Sequence, residues 1–164
     1  MKMTINEIEA AAIAGDVGAQ YEFGMLYYEG HRLPEDHKQA MVWFKQAALR
    51  GHAKAQHNLG VLLYDEPAET TERQEAFRWI LSAANQGLIE SQIAIAQMYL
   101  DGTSVPRNDI EAYFWFNLAA AAGDKEAGVT RDKLGRQMSR EEISVAQERS
   151  RHWWQEMQKK RLNI

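Results

Sequence analysis

The chain has 164 residues, no cysteine and a formal net charge of −4, which fits one domain with a sizeable core and excludes disulfides and thiolate metal sites. The acidic balance argues against nucleic acid as the main ligand, and no run of about 18 apolar residues is present to span a membrane. Because cysteine and an apolar signal-peptide core are both missing, we expect a cytoplasmic protein.

The first predicted element is an N-terminal capping helix within residues 1–15. Thr4 and Glu7 have the spacing of a capping box at a helix start. Gly15 lies 36 residues before Gly51, and the residues before it match the end of a later helix. Glu7 stands where the later units carry tryptophan, as expected on an outer face that no preceding repeat covers.

Three tandem units of 36 residues follow, with boundaries predicted at 16–51, 52–87 and 88–123. Self-similarity at a fixed spacing is the signature of a repeat architecture. The positions that recur are a tryptophan, a pair of alanines and a glycine: Trp43, Trp79 and Trp115; Ala47 with Ala48, Ala83 with Ala84 and Ala119 with Ala120; Gly51, Gly87 and Gly123.

Each unit is predicted to contain two helices, A and B, because its apolar residues recur at helical spacing. Gly24 and Gly60 fall in the middle of helix A, where glycine costs roughly 1 kcal/mol relative to alanine. Their repetition predicts a close approach of helix B near Ala40 and Ala76. The glycine that ends each unit predicts a left-handed cap at the end of helix B.

The starts of helix B are also marked in the sequence. Asp36 and Asn108 predict N-caps, with the residues three positions later reaching back to them. Pro34 and Pro106 precede these caps and prevent helix A from continuing.

Four aromatic residues stand in a row at 113–116. The repeat register assigns apolar positions to this run, so we expect core packing rather than a stacking platform. Phe114 is unusual because its counterparts are Val42 and Arg78, and we expect its extra apolar surface to pack on the C-terminal helix. Residues 124–164 are predicted to form C-terminal capping helices, the last of which begins with the capping box of Ser139 and Glu142.

The predicted fold is therefore all-α: a right-handed α-solenoid of tandem helix-turn-helix repeats, similar to a tetratricopeptide superhelix. We expect residues 1–164 to form a single domain. Local propensity, the repeat register and the capping residues all favour this one architecture.

A family resemblance rests on the pattern of the first unit: Ala19, Phe23, Gly24, Tyr27, Gly30, Asp36, Ala40, Trp43, Ala47, Ala48 and Gly51. This pattern resembles the Sel-one-like repeat family, a relative of the tetratricopeptide repeat with a slightly longer unit. The resemblance covers residues 16–123 and departs at Ala96 and Glu66, where the family has glycine. The capping helices look like those of bacterial members. The resemblance implies a protein-binding adaptor or scaffold, whereas the cysteine-rich, β-lactam-binding branch does not carry over.

Neither a cofactor nor a metal ion is predicted. His52 and His57 lack the spacing and the third ligand of a metal site. The glutamates between Glu66 and Glu75 lack the alternating ligands and the turn glycine of a calcium loop. No phosphate loop or nucleophile elbow is present, so we do not expect an enzyme.

The candidate binding site is the side of helix A that the register turns away from the repeat core, since tetratricopeptide-like stacks line their concave groove with helix A. Tyrosine and methionine are enriched at protein interfaces, and methionine adapts to irregular partners. The alternative is that these side chains only pack between repeats. The predicted partner-binding residues are Tyr21, Met25, Tyr28, His57, Val61, Tyr64, Ile93, Gln97 and Leu100.

The sequence thus favours a protein–protein interaction module that binds a peptide or helix of another protein in the groove. Acidic residues at the rim (Glu29, Asp65, Glu90 and Asp101) favour a basic partner. Three alternatives stay open: an immunity-type inhibitor of a cognate protein, an enzyme acting on cell-wall or β-lactam-like substrates, and a structural piece of a larger assembly. The sequence leaves the oligomeric state open.

Overall fold

The computed structural model describes residues 3–65, 70–102 and 104–162. These ranges contain nine α-helices and no strand, so the predicted all-α class is confirmed. The helices are α1 (Ile5–Ile13), α2 (Val17–Glu29), α3 (His37–Leu49), α4 (Ala53–Asp65), α5 (Thr70–Asn85), α6 (Ile89–Asp101), α7 (Asp109–Ala121), α8 (Lys125–Gly135) and α9 (Arg140–Leu162).

The helices pair as the 36-residue register predicts, with α2, α4 and α6 as A helices and α3, α5 and α7 as B helices. Residue contacts divide the chain into two compact units, Met1–Leu88 and Ile89–Ile164. In the first unit each helix from α1 to α5 packs on the next, and in the second α7 packs on α6, α8 and α9. The organisation of the whole chain as one domain stays a prediction.

The turns that follow α1, α3, α5 and α7 share one backbone motif. Gly51 has a left-handed φ of 87°, and its N–H donates to Ala48 O at 3.0 Å, while the N–H of His52 donates to Ala47 O at 3.1 Å. This pair of bonds is a Schellman cap, which satisfies carbonyls that the helix end leaves open. The same pair recurs at Gly15, Gly87 and Gly123, which confirms the predicted caps.

The starts of α3 and α7 differ from the prediction in one bond. Asp36 and Asn108 do accept hydrogen bonds from the N–H three residues ahead, at 3.0 and 3.1 Å. The reverse bond is not needed, because the N–H groups of Asp36 and Asn108 donate instead to Tyr27 O and Tyr99 O, both at 3.0 Å. Each cap residue thus ties the start of helix B to the end of helix A.

The mid-helix glycines lie where helix B comes close, as predicted. A Cβ placed on Gly24 would come within 2.7 Å of the Phe44 ring and 3.4 Å of Ala40 O. At Gly60 the nearest atoms would be Ile80 Cγ1 at 2.5 Å and Ala76 O at 3.0 Å. The helix-propensity cost of these glycines is thus offset by close packing of the two helices.

The aromatic run at 113–116 lies in the core, and each of its four side chains is at most 6% exposed. Helix α9 covers two of them. Gln147 Nε2 donates to Tyr113 Oη at 3.3 Å, and the guanidinium of Arg149 lies 4.6 Å from the centre of the Phe114 ring. The run is a packing element, and Phe114 does pack on the C-terminal helix as predicted.

Candidate interaction surface

The exposed sides of α2 and α4 meet in the first unit. Asn58 Nδ2 on α4 lies 3.2 Å from Met25 Sδ on α2, which brings the two A helices into contact. Around this contact the side chains are exposed or half-buried, and we name this surface the α2–α4 face. Its members are Glu22, Met25, Tyr28, Glu29, Asn58, Val61, Tyr64 and Asp65.

The two tyrosines of α2 that are predicted to bind a partner pack against helix B, which is α3. Tyr21 stacks on His52 with 4.6 Å between ring centroids, and its ring lies 5.8 Å from that of Phe44. Tyr28 stacks on His37 at 5.5 Å and lies 6.3 Å from Phe44. Both rings therefore contact groups of the repeat core, which differs from the expectation that they point away from it. Tyr28 is 37% exposed and keeps the larger free surface.

The other predicted residues of the first unit are Met25, His57, Val61 and Tyr64, all half-buried. Met25 packs against the apolar cluster that contains Phe44. A half-buried side chain is held in place by the repeat and still offers surface to a ligand. The role of these residues in binding stays a prediction.

The second unit places its three predicted residues on α6. Ile93 and Leu100 are half-buried, and Gln97 is exposed. Gln97 Nε2 donates to Asp101 Oδ1 at 2.8 Å, so this amide is oriented along the helix surface. The spacing of the three residues puts them on one side of the helix.

The α2–α4 face is acidic. Glu22, Glu29 and Asp65 are exposed, and the carboxylate of Glu29 lies 3.7 Å from His31 Nδ1. Helix α2 has no lysine or arginine, and α4 has one, the exposed Lys54 near its start. Sequence reasoning missed Glu22, although its helical spacing from Glu29 could have placed it on this side.

His52 caps the start of α4. Its Nδ1 accepts a hydrogen bond from the N–H of Ala55 at 3.2 Å, the role that Asp16 and Asp124 have at the starts of α2 and α8. Partial burial, and then the charge of Lys54, lower the pKa of His52 below its ordinary value. A proton on Nδ1 would break the cap, so the fold favours neutral histidine.

A buried glutamine at one repeat position ties each of the first two repeats to the helix before it. Gln20 Nε2 donates to Ala12 O at 3.3 Å, and Gln56 Nε2 donates to Ala48 O at 3.0 Å. Gln86 Nε2 in turn donates to Gln56 Oε1 at 2.8 Å. Sequence reasoning missed these bonds, although the 36-residue spacing of Gln20 and Gln56 could have revealed them.

Within residues 3–65, 70–102 and 104–162, no three His, Asp or Glu side chains come together as a metal site would require. Glu66 and Glu69, two of the glutamates that were compared with a calcium loop, lie outside the described residues. Across that same part of the chain, no helix is both long and apolar enough to cross a membrane.

Tandem helix pairs with glycine turns and buried alanines at a 36-residue spacing define a helical repeat protein. The family model of the Sel1 repeat matches the chain three times, at residues 17–52, 53–88 and 89–124. The chain belongs to the Sel1 repeat family. The resemblance predicted from the sequence is thus confirmed.

Two solved structures are similar to this chain. One is the crystal structure of a Sel1 repeat protein from Oxalobacter formigenes, which is 27% identical with a TM-score of 0.69 over 79% of this chain and 97% of that chain. The other is c5321, a protective antigen present in uropathogenic Escherichia coli strains displaying an SLR fold. It is 22% identical with a TM-score of 0.51, over 94% of this chain and 43% of that chain, and this likeness concerns the fold alone. A search of the curated proteins found no match.

Sel1 repeat proteins generally mediate protein–protein interactions, and the family is typically a non-catalytic scaffold.

Proposed function

We propose that this protein is a cytoplasmic adaptor or scaffold that binds a helix or peptide of a partner protein through the exposed side of its A helices. The observation that carries the proposal is the α2–α4 face, where apolar and aromatic side chains lie among carboxylates. Apolar anchors with a polar rim are the usual anatomy of a protein interface.

The anchors are Met25, Tyr28 and Val61. Tyr28 is held against His37 by ring stacking, and Met25 is held by the core cluster and by Asn58. Side chains that the fold already orders lose little further entropy when a ligand binds. A few such anchors dominate the binding energy of a typical interface.

The charges favour a partner segment that carries lysine or arginine. Glu22, Glu29 and Asp65 present three exposed carboxylates on α2 and α4 against the single exposed ammonium of Lys54. Complementary charge steers association and selects partners. Because the groups are exposed, the attraction weakens as salt rises.

The test is affinity capture from the native lysate with quantitative mass spectrometry, at low and at high salt. The double variant Glu22→Lys with Glu29→Lys reverses the charge of the face at exposed positions. Proteins whose recovery falls with salt should be lost with this variant. A second variant, Tyr28→Glu, should lose the same proteins because it removes an anchor.

Two controls, the first matched in charge, separate the effect of the face from that of net charge. Glu9→Lys with Glu126→Lys makes the same charge change at exposed residues of α1 and α8, and Arg78→Glu alters an exposed side chain of α5. All variants must first show wild-type helicity by circular dichroism. Equal losses in face variants and controls, or no loss in either, would rule out the α2–α4 face.

A further inference from the structure

A second surface of the first unit, made of different residues, forms an apolar groove of about 320 Å3. Its floor is Leu59 and Leu63 of α4, and one wall is α3, with Met41 and the half-exposed Val42. Glu75 of α5 lines it as well, and its Oε1 accepts a hydrogen bond from Trp79 Nε1 at 3.3 Å. We name this surface the α3–α5 groove.

Two lysines mark the α3 wall of this groove. Lys38 and Lys45 both line it and are both exposed. Within the described residues neither ammonium group forms an ion pair. Seven residues apart on one helix, they stand two turns or about 10.5 Å from each other along the axis.

The repeat itself does not require these lysines. At the equivalent positions α5 carries Gln74 and Leu81, and α7 carries Ile110 and Asn117. The buried positions of the same helices do repeat, as Ala40 and its counterparts show. In a chain of net charge −4, a pair of cations beside an apolar groove is therefore a local property of the first repeat.

In the second unit the equivalent wall is covered by α9, the positional counterpart of α5, 72 residues on. Tyr113 and Phe114 of α7 are the positional equivalents of Met41 and Val42 of α3, 72 residues on. There, helix α9 lies on the wall. Arg149 of α9 also pairs with Glu111 of α7 at 2.6 Å. Phe114 is 5% exposed there, whereas Val42 is 50% exposed, so α5 leaves open the wall that its counterpart α9 covers.

We propose that the α3–α5 groove binds an acidic amphipathic helix of a partner protein, with two carboxylates two turns apart on Lys38 and Lys45 and apolar side chains between them on Met41 and Val42. Charge complementarity with the two lysines and the exposed apolar wall of α3 between them are the two grounds. The groove and the α2–α4 face then accept segments of opposite charge.

The probe is a panel of helical 14-residue peptides that share glutamate at positions 4 and 11 and vary the apolar residues at positions 7 and 8. Binding is measured by fluorescence polarisation, and the site by methyl chemical shifts of Met41 against Met25. Members of the panel should bind and shift Met41. Lys38→Glu with Lys45→Glu should weaken binding about tenfold or more, because two ion pairs become repulsive. Peptides with lysine at positions 4 and 11 should regain binding to this variant.

The matched control is Lys54→Glu with Lys125→Glu, which changes the net charge equally at exposed residues of α4 and α8. It should leave peptide binding within about twofold. The proposal fails if no peptide binds, if both double variants weaken binding equally, or if Met25 shifts instead of Met41. The alternative occupant of the groove is a second copy of the chain, which sedimentation of the free protein tests. A dimer that dissociates in the Val42→Glu variant would assign the groove to that second copy.

Discussion

The substitution Gly60→Ala tests how closely the two helices of a repeat meet. The new Cβ would lie 2.5 Å from Ile80 Cγ1 and 3.0 Å from the carbonyl oxygen of Ala76. That oxygen cannot move without shifting α5, and Ile80 is only 1% exposed, so neither neighbour has room to withdraw. We therefore expect destabilisation, although alanine is the better helix former.

The expected size is the difference between two effects. Replacing a helical glycine by alanine gains about 1 kcal/mol. Overpacking a well-packed core costs about 1–3 kcal/mol, and contact with a backbone atom at Gly60 favours the upper part, about 2–3 kcal/mol. The free energy of unfolding should thus fall by about 1–2 kcal/mol. For a chain of this length each kcal/mol lowers Tm by about 2–4 °C, which gives a decrease of about 2–8 °C.

The assay is thermal unfolding followed by circular dichroism at matched protein concentration. The control is Gly128→Ala in α8, whose new Cβ would meet only the Ala120 Cβ at 3.7 Å, so helix propensity should raise Tm there. Ala96 occupies the position of Gly60 in the third repeat and is fully buried, so Ala96→Gly should also destabilise. A Gly60→Ala protein that melts at or above wild type would refute the close approach.

Three further predictions concern the core, the C-terminal helix and the cap of α4. Trp115→Ala should lower the free energy of unfolding by about 3–5 kcal/mol, because the side chain is 4% exposed. Urea unfolding should show a smaller decrease for Trp79→Ala, because Trp79 is half-buried, and equal decreases would contradict this order. Truncation after Met138 removes α9 and uncovers Phe114, so size-exclusion chromatography should show association, whereas an unchanged monomer would contradict the capping role. The pKa of His52 is lowered in the folded protein, so its contribution to stability is complete above about pH 6.5. At lower pH that contribution decreases, because the unfolded chain takes up the proton first. The variant His52→Asp should reduce that loss in acid melts, and an identical pH profile would contradict it.

The elements that the sequence predicted best are those where one residue type has one physical use. Gly51 could be placed in a turn because only glycine adopts a left-handed cap without strain. Asp36 could be placed at a helix start because its side chain satisfies an N–H that the helix leaves open. The 36-residue spacing then repeated the cap glycine and the alanine pair in all three repeats and the N-cap in two. Together these predicted the helix pairs, the buried alanines and the Sel1 repeat family.

The directions of the tyrosine rings could not be predicted in the same way. Helical spacing places a Cα on one side of a helix, but a ring of this size can turn toward either neighbour. Tyr21 and Tyr28 both turn to Phe44, because contact with that ring removes apolar surface of the tyrosines from water. The bonds of Gln56 were missed as well. The 36-residue spacing of Gln20 and Gln56 marks a shared position, but only the structure locates the carbonyl that accepts the bond.

Comparison of equivalent positions inside one chain separates packing from function. The three repeats carry the same buried residue at Ala40, Ala76 and Ala112, each 0% exposed, and a shared packing need explains such a position. Where an exposed position differs between units, packing sets no demand, and the residue is free to serve a ligand. Lys38 and Lys45 belong to this second group. The repeat therefore explains why the walls of the α3–α5 groove exist, and the unshared lysines explain why only the first repeat would hold an acidic helix there.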